Sequence, residues 1–176
     1  MKKVIMYIAT SLDGYIADNN GNVGFLAGDG SDNENIGSFE NFFESVDTVI
    51  LGYNTYNQII TELSPNQWAY KGKTSYVLTH KDIKNKDEII FTSEHITDLI
   101  LKLKEENGKD IWVCGGANII NQLHRANLID EYAITIIPSI LGNGIRLFEQ
   151  TDKELKLKLK CTKNYNGMID LVYEKR

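Results

Sequence analysis

The 176-residue chain is predicted to be an α/β protein, with a mixed, mainly parallel sheet flanked by helices and a C-terminal antiparallel hairpin. Three observations predict this. Short apolar runs that suit strands buried on both faces alternate with helical spacing, as where Ile111-Trp112-Val113-Cys114 precedes Ile119, Ile120 and Leu123. Glycine turns stand where such runs end, at Gly52 and at Gly115-Gly116. Near the C-terminus, Leu155 to Cys161 alternates strictly, and Asn166-Gly167 is a hairpin turn.

The bulk composition narrows the function classes. A chain of this length fits one domain, taken as residues 1–176, with a core of its own. The net charge is −5 with acids and bases interspersed, so no basic stripe exists to neutralise nucleic-acid phosphates or an anionic membrane. Cys114 and Cys161 lie in strand-like runs without a CxxC pair or a Cys/His cluster. A metal site or disulfide framework is therefore not expected, and a reducing cytoplasm is. The apolar run after Lys2-Lys3 is too short for a signal peptide, and no stretch approaches the ~20 apolar residues of a membrane helix.

Val4 to Ala9 is continuous and apolar and predicts a central strand. Asp13-Gly14 marks a turn. Residues 18–38 form a long loop rich in Gly, Asn, Asp and Ser, of the kind that serves as a lid or as a plain surface insertion. Ser38 is a candidate helix cap, and Phe39, Phe42, Phe43 and Val46 share one face of the helix that follows. Val49-Ile50-Leu51 is a short buried strand, and Gly52 to Tyr56 turns into a helix carrying Ile59 and Ile60. Thr74 to Thr79 and Ile89 to Phe91 are further strands. Thr92 or Ser93 starts a helix with Ile96, Leu99, Ile100 and Leu103 inward, closed by Asn107-Gly108. The helix after Gly116 runs to about Arg125, and Tyr132 to Ile137 is a strand stopped by Pro138. The alternating 155–161 segment reads as a half-buried antiparallel strand, paired through Asn166-Gly167 with Met168 to Tyr173.

In such sheets ligands bind beyond the carboxyl ends of the strands. Three strand ends carry polar or glycine-rich turns: Gly52 to Thr55, Leu78 to Lys81, and Cys114 to Asn118. Side by side, they would make one crevice suited to a phosphate-bearing ligand, with the last turn opening a helix whose N-terminus favours an anion.

Four segments in order resemble the dihydrofolate reductase superfamily, and closer to its riboflavin-biosynthesis reductase branch than to dihydrofolate reductase itself. They are Ser11-Leu12-Asp13-Gly14-Tyr15-Ile16-Ala17, Val49-Ile50-Leu51-Gly52-Tyr53-Asn54-Thr55-Tyr56, Val113-Cys114-Gly115-Gly116-Ala117, and Pro138-Ser139-Ile140-Leu141-Gly142-Asn143-Gly144-Ile145-Arg146-Leu147-Phe148. The resemblance spans nearly the whole chain. It implies an oxidoreductase of dihydrofolate reductase or 5-amino-6-(5-phosphoribosylamino)uracil reductase type that uses NADPH, with NADH not excluded. Gly52, Tyr53, Asn54 and Thr55 would hold the pyrophosphate and adenosine side, and Leu78, Thr79 and His80 would flank the adenine ribose. Gly115, Gly116, Ala117, Asn118 and Ile119 would hold the pyrophosphate, with Gly115–Gly116 a candidate cis peptide. Ala9 and Ile16 match nicotinamide-lining positions, Thr135 a strand threonine facing the substrate, and Asp13 a catalytic or merely turn-forming acid.

Three departures qualify the transfer. Tyr53 stands where the family carries an arginine suited to the cofactor 2′-phosphate, leaving His80 and Lys81 as substitutes. Cys114 replaces a glutamate before the glycine pair. No acid aligns in Asn35-Ile36-Gly37-Ser38-Phe39, where dihydrofolate reductase holds its pterin-binding carboxylate; Asp32 and Glu34 are only nearby. The expected ligand is a small heterocycle, and a homodimer is expected. Trp68 and Tyr70 are either pocket-lining or amphipathic surface residues. A cofactor-binding module without catalysis, and a structural protein that dimerises through a sheet edge, are the competing readings.

Overall fold

A computed structural model describes residues 1–35 and 37–176. The strands are β1 (Val4–Ser11), β2 (Tyr15–Ala17), β3 (Val46–Gly52), β4 (Thr74–Leu78), β5 (Ile89–Thr92), β6 (Asp110–Gly115), β7 (Glu131–Ile137), β8 (Ile145–Arg146), β9 (Leu157–Tyr165) and β10 (Met168–Lys175). The helices are α1 (Phe39–Ser45), α2 (Tyr53–Gln58), α3 (Ile96–Glu105) and α4 (Ala117–Arg125), with a π-helical turn, Ile59–Leu63, continuing α2. The fold is α/β with a mainly parallel sheet, helices and a C-terminal antiparallel strand pair. The chain divides into two interleaved compact units, Met1–Ile5 with Ser45–Ile129 and Met6–Glu44 with Asp130–Arg176, and β1 contributes residues to both.

In the first unit the strand order is β5-β4-β3-β6, and each neighbouring pair is parallel. Val49, Ile50 and Leu51 are fully buried, as are Val77, Ile111 and Val113, which is why these runs are apolar without alternation. Helix α3 buries Ile96, Leu99, Ile100 and Leu103, and α4 buries Ile119, Ile120 and Leu123. Thr92 ends β5 rather than starting α3, and its Oγ1 accepts the Glu94 N–H at 3.1 Å in a tight link before His95. Val46, expected on the aromatic face of α1, instead opens β3 with no solvent exposure. The parallel pairing with β6 draws it into the sheet.

In the second unit β7 pairs antiparallel with β10, and β10 with β9. Tyr165 and Met168 face each other across a two-residue loop, and Asn166 and Gly167 both adopt positive φ, as the sequence predicts for this turn. Strand β9 is not half-buried as its alternation suggests: it begins at Leu157 rather than Leu155, and its middle is exposed on both faces, Leu159 to 49%. It is the last strand in the order, so one face only meets lysines and water.

The glycine-rich stretch before α1 is stitched to this hairpin. The Asn166 carbonyl accepts the Asp29 N–H at 3.0 Å, and Asn166 Oδ1 accepts the Gly30 N–H at 2.9 Å and the Asp32 N–H at 3.3 Å. Lys163 Nζ donates to the Gly37 carbonyl at 2.7 Å. Gly37 has φ +72°, and its Cα lies against the Tyr165 ring where a Cβ has no room. Ile36, within the stretch searched for a carboxylate, lies outside the described residues.

Candidate functional site

Because β4, β3 and β6 are neighbours and parallel, their carboxyl ends emerge side by side. The three sequence-predicted turns therefore share one edge of the first unit. Gly52 precedes α2, and Gly116 precedes α4 with no side-chain cap on its first turn. The Gly115–Gly116 peptide is cis. A Cβ built on Gly52 would stand 3.3 Å from Ile119 Cδ1 and 3.9 Å from the Gly116 nitrogen; one on Gly116 would stand 3.6 Å from Thr55 Oγ1. The two glycines thus leave bare backbone between the turns, with uncapped N–H groups of α4 beside it. That surface fits an anionic pyrophosphate by its chemistry.

The remaining predicted residues of this edge are distributed as follows. Leu78 ends β4, and Thr79 donates its N–H to the Thr92 carbonyl at 2.9 Å while its Oγ1 accepts the Lys81 N–H at 3.1 Å. His80 and Asn118 are exposed. Asn54 is exposed on the first turn of α2. Lys81 folds back so that Nζ lies 3.8 Å from the centroid of the Tyr53 ring. A cation is therefore held over the residue that replaces the family's arginine.

Cys114 is next to the glycine pair, and its Sγ lies 3.2 Å from Tyr70 Oη. Burial pushes the thiol up to about 11, against the opposing pull of the Tyr70 hydroxyl. Tyr70 stacks edge-on with Trp112 at 4.8 Å and with Trp68 at 5.2 Å, and Trp68 reaches Tyr56 at 5.7 Å. Trp68 and Tyr70 are thus neither pocket lining nor loose surface; they close the side of the core beneath α2.

In the second unit Ala9 and Ile16 are each partly exposed, on β1 and β2. Asp13 is committed to its neighbours. Oδ1 accepts from Ser11 Oγ at 2.6 Å and from the Leu141 N–H at 3.1 Å, and Oδ2 accepts the Gly142 N–H at 2.7 Å. The Ser11 hydroxyl, then these backbone N–H groups, hold its carboxyl below the ordinary value despite a smaller desolvation effect. Asp13 thereby clamps the turn after β1 to the loop before β8.

Thr135 belongs to a buried polar cluster that the sequence reading missed. Its Oγ1 donates to Asp170 Oδ1 at 2.6 Å, and Tyr165 Oη donates to the same oxygen at 3.1 Å. Ser38 Oγ donates to Asp170 Oδ2, and Tyr7 Oη lies 3.4 Å from Ser38 Oγ. Burial, with the nearby Asp170 charge, raises the Tyr165 phenol far above its ordinary value; burial also raises Tyr7, so both remain protonated donors. The Tyr7 ring stacks on Phe42, with centroids 4.4 Å apart and planes at 18°. Asp170 is only 3% exposed. The available signal was an acid in the apolar run Met168-Ile169-Asp170-Leu171-Val172, at inward parity. Ser38, expected as a helix cap, sends its hydroxyl to this acid.

Among the described residues no group of three or more His, Cys, Asp or Glu side chains is placed to hold a metal ion, and no helix is long and apolar enough to cross a membrane.

The family described as RibD C-terminal domain matches residues 2–171. The uncharacterised protein YwjB of Bacillus subtilis strain 168 is 39% identical over 175 residues, covering 98% of this chain and 97% of that one. A crystal structure described as a putative riboflavin biosynthesis protein from Shewanella sp. PV-4 aligns with TM-score 0.84 and 27% identity, covering 99% of each chain. The fold also recurs, at TM-score 0.72 and 13% identity, in 57% of a Thermotoga maritima diaminohydroxyphosphoribosylaminopyrimidine deaminase/5-amino-6-(5-phosphoribosylamino)uracil reductase, where it covers 99% of this chain.

Proposed function

The chain belongs to the RibD C-terminal domain family, and from that premise we propose that it is an NAD(P)H-dependent reductase acting on a small heterocycle of pterin or aminopyrimidine type. The observation that carries the reading is the bare-backbone edge of the first unit, where Gly52, Thr55 and Gly116 leave space beside the uncapped start of α4. The bound nicotinamide supplies a hydride, and the protein supplies position and a dry surround. Gly52 to Thr55 and Gly115 to Ile119 hold the phosphates; Leu78, Thr79 and His80 flank the adenosine ribose; Lys81 over Tyr53 offers positive charge to a 2′-phosphate. Ala9, Ile16 and Thr135 are the ring-side and substrate-side residues. Asp13 positions the loop at Leu141-Gly142 and is not the proton donor, because both its oxygens are engaged. Aminouracil-type substrates, and with them a step in riboflavin formation, are the finer reading. Pairing of two copies along the exposed strand β9 is the dimer this reading carries.

Titration with NADPH and with NADH, followed by nicotinamide fluorescence, tests the proposal. Saturable binding of either is expected, and no binding of either at millimolar concentration overturns it. A second reading, a regulatory module that binds the cofactor without turnover, is favoured by one observation: Ser38 closes off the buried carboxyl of Asp170. Cofactor oxidation with any member of a panel of pterins, aminouracils, flavins and quinones eliminates that module.

A further inference from the structure

Asp170 is a buried side chain whose surroundings are unusual for a structural acid. Its bonded partners are three hydroxyls, from Thr135, Tyr165 and Ser38, and no lysine or arginine among the described residues is bonded to it. A structural ion pair in a core normally meets its charge with a counter-charge. This chain has one nearby in the first unit, where buried Lys2 meets Asp47 at 2.9 Å, so the fold is able to build such pairs. A carboxylate offers about four acceptor positions. Thr135 and Tyr165 fill the two on Oδ1, while Oδ2 accepts from Ser38 alone.

The two oxygens differ also in how their donors are held. Thr135 is the direct register partner of Asp170 across β7 and β10, and Tyr165 stands at the end of β9, so the donors on Oδ1 sit on paired strands. Ser38 instead lies just before the seven-residue α1, next to Gly37 at φ +72° and the glycine-rich stretch that precedes it. Oδ2 therefore faces a replaceable donor. Beside it are the Tyr7 and Phe42 rings in near-parallel stacking, and Phe39, 38% exposed, at 5.8 Å from Tyr7. Next along β1, Ile8 and Ala9 are partly exposed although β1 lies between two other strands in the order. A planar ring meets aromatic and apolar surface there, and its N–H edge meets an acceptor.

We propose that Asp170 is the substrate-recognition acid of this protein, accepting the N–H edge of a planar heterocycle of 2-aminopyrimidine type at Oδ2, in the position that the Ser38 hydroxyl holds in its absence. This deepens the reductase reading and rests on it. Thr135 and Tyr165 act through Asp170 as positioning residues: they orient the carboxyl so that Oδ2 points away from the hairpin. The site selects for donors, since a ring edge that presents only acceptors faces the carboxylate with like partial charge.

The test compares 2,4-diaminopyrimidine with 1,3-diaminobenzene, which has the same outline but lacks the ring nitrogens and the amidine edge. Both are titrated by calorimetry into the full chain saturated with NADPH, at neutral pH. The wild type is expected to prefer the pyrimidine at least tenfold, Asp170→Asn to lose that preference, and Ser38→Ala to bind the pyrimidine severalfold tighter because its competitor is gone. Nicotinamide fluorescence on the same samples reports cofactor binding separately, so a failed reductase reading shows as lost NADPH binding in the wild type. With NADPH bound, equal affinity for the two probes in the wild type, or full preference in a folded Asp170→Asn, overturns the assignment. Should Asp170→Asn fail to fold, Ser38→Ala decides: unchanged or weaker pyrimidine binding there overturns it, because a purely structural Ser38–Asp170 bond gives no gain on removal.

Discussion

Thr55 Oγ1 stands over Gly116, 3.6 Å from the point a Cβ would occupy there. The two residues come from the turns after β3 and β6, and their approach is what leaves bare backbone at the start of α4. Gly116 has φ −80° and ψ −167°, an extended conformation open to any L residue. Gly116→Ala is therefore expected to keep stability within about 1 kcal/mol of wild type, yet to weaken NADPH roughly tenfold, or ~1.4 kcal/mol, by covering the N–H groups. Gly116→Val, with branched bulk against Thr55, is expected to abolish binding while the thermal transition stays cooperative. Fluorescence titration beside a melting curve checks both, and wild-type affinity in the valine variant removes the phosphate assignment.

The glycine pair was legible in the sequence because its signal is local: an apolar run, two glycines, then helical spacing. The same holds for β3, β4 and α4, where periodicity and turn chemistry agree. What was not legible depends on long-range pairing. The acid sought before Phe39 is supplied from residue 170, on a strand that meets β7 only through the antiparallel register that sets Asp170 opposite Thr135. No local pattern near Ser38 announces it. Strand β9 misled for the opposite reason: its alternation is sound, but its edge position leaves the apolar face uncovered. Trp68 and Tyr70 read as surface because their partners Tyr56 and Trp112 lie far along the chain.

Cys114 has a thiol raised to about 11 by burial, so at pH 7 to 8 it stays protonated and is a poor nucleophile. Exposed Cys161 is expected to alkylate first with iodoacetamide, and Cys114 only as pH climbs toward 11. The Tyr70 hydroxyl opposes the shift, so Tyr70→Phe raises the value further and slows Cys114 again at fixed pH. Peptide mass spectrometry over a pH series reads both sites. Cys114 reacting as fast as Cys161 at pH 7.5 contradicts the buried environment.

Asn166 ties the glycine-rich stretch to the β9–β10 turn through its side chain as well as its carbonyl. Asn166→Gly keeps the left-handed backbone, φ +46°, and removes only the side-chain acceptor and donor. The loss expected is about 1 kcal/mol, the worth of exposed hydrogen bonds, with faster limited proteolysis between residues 27 and 35. Unchanged cleavage would show that the carbonyl contact to Asp29 alone holds the segment.

Asp47 gathers Lys2 Nζ at 2.9 Å, Thr48 Oγ1 at 2.7 Å and the Lys109 N–H at 2.6 Å. Partial burial by itself raises its carboxyl, but these hydrogen bonds and the Lys2 charge outweigh that and leave it below the ordinary 3.8. A lowered folded value means that the ionised form favours folding. The contribution is present in full above 3.8 and is lost as pH falls through that value toward the folded one. Asp47→Asn is expected to destabilise the protein at pH 7 and to flatten its stability profile below pH 4. Urea midpoints from pH 7 to pH 3 measure this; parallel profiles for variant and wild type assign the acid sensitivity to other carboxylates.

Lys81 and Tyr53 form the remaining test of cofactor choice. The ammonium sits 3.8 Å from the ring centroid, so the cation is held at the edge shared by the turns after β3 and β4 even though the arginine of the family is missing. A 2′-phosphate gains from that charge, and a 2′-hydroxyl gains little. Lys81→Met is therefore expected to weaken NADPH about fivefold, the scale of one exposed charge pair at ~1 kcal/mol, and to leave NADH unchanged. The NADPH loss should shrink as salt rises, since exposed charges are screened over about 10 Å at 0.1 M. Tyr53→Leu, which removes the aromatic face but not the charge, should cost less than the lysine change. Titrations of both cofactors at two ionic strengths read the difference, and equal losses for NADPH and NADH would place Lys81 on the shared part of the dinucleotide instead.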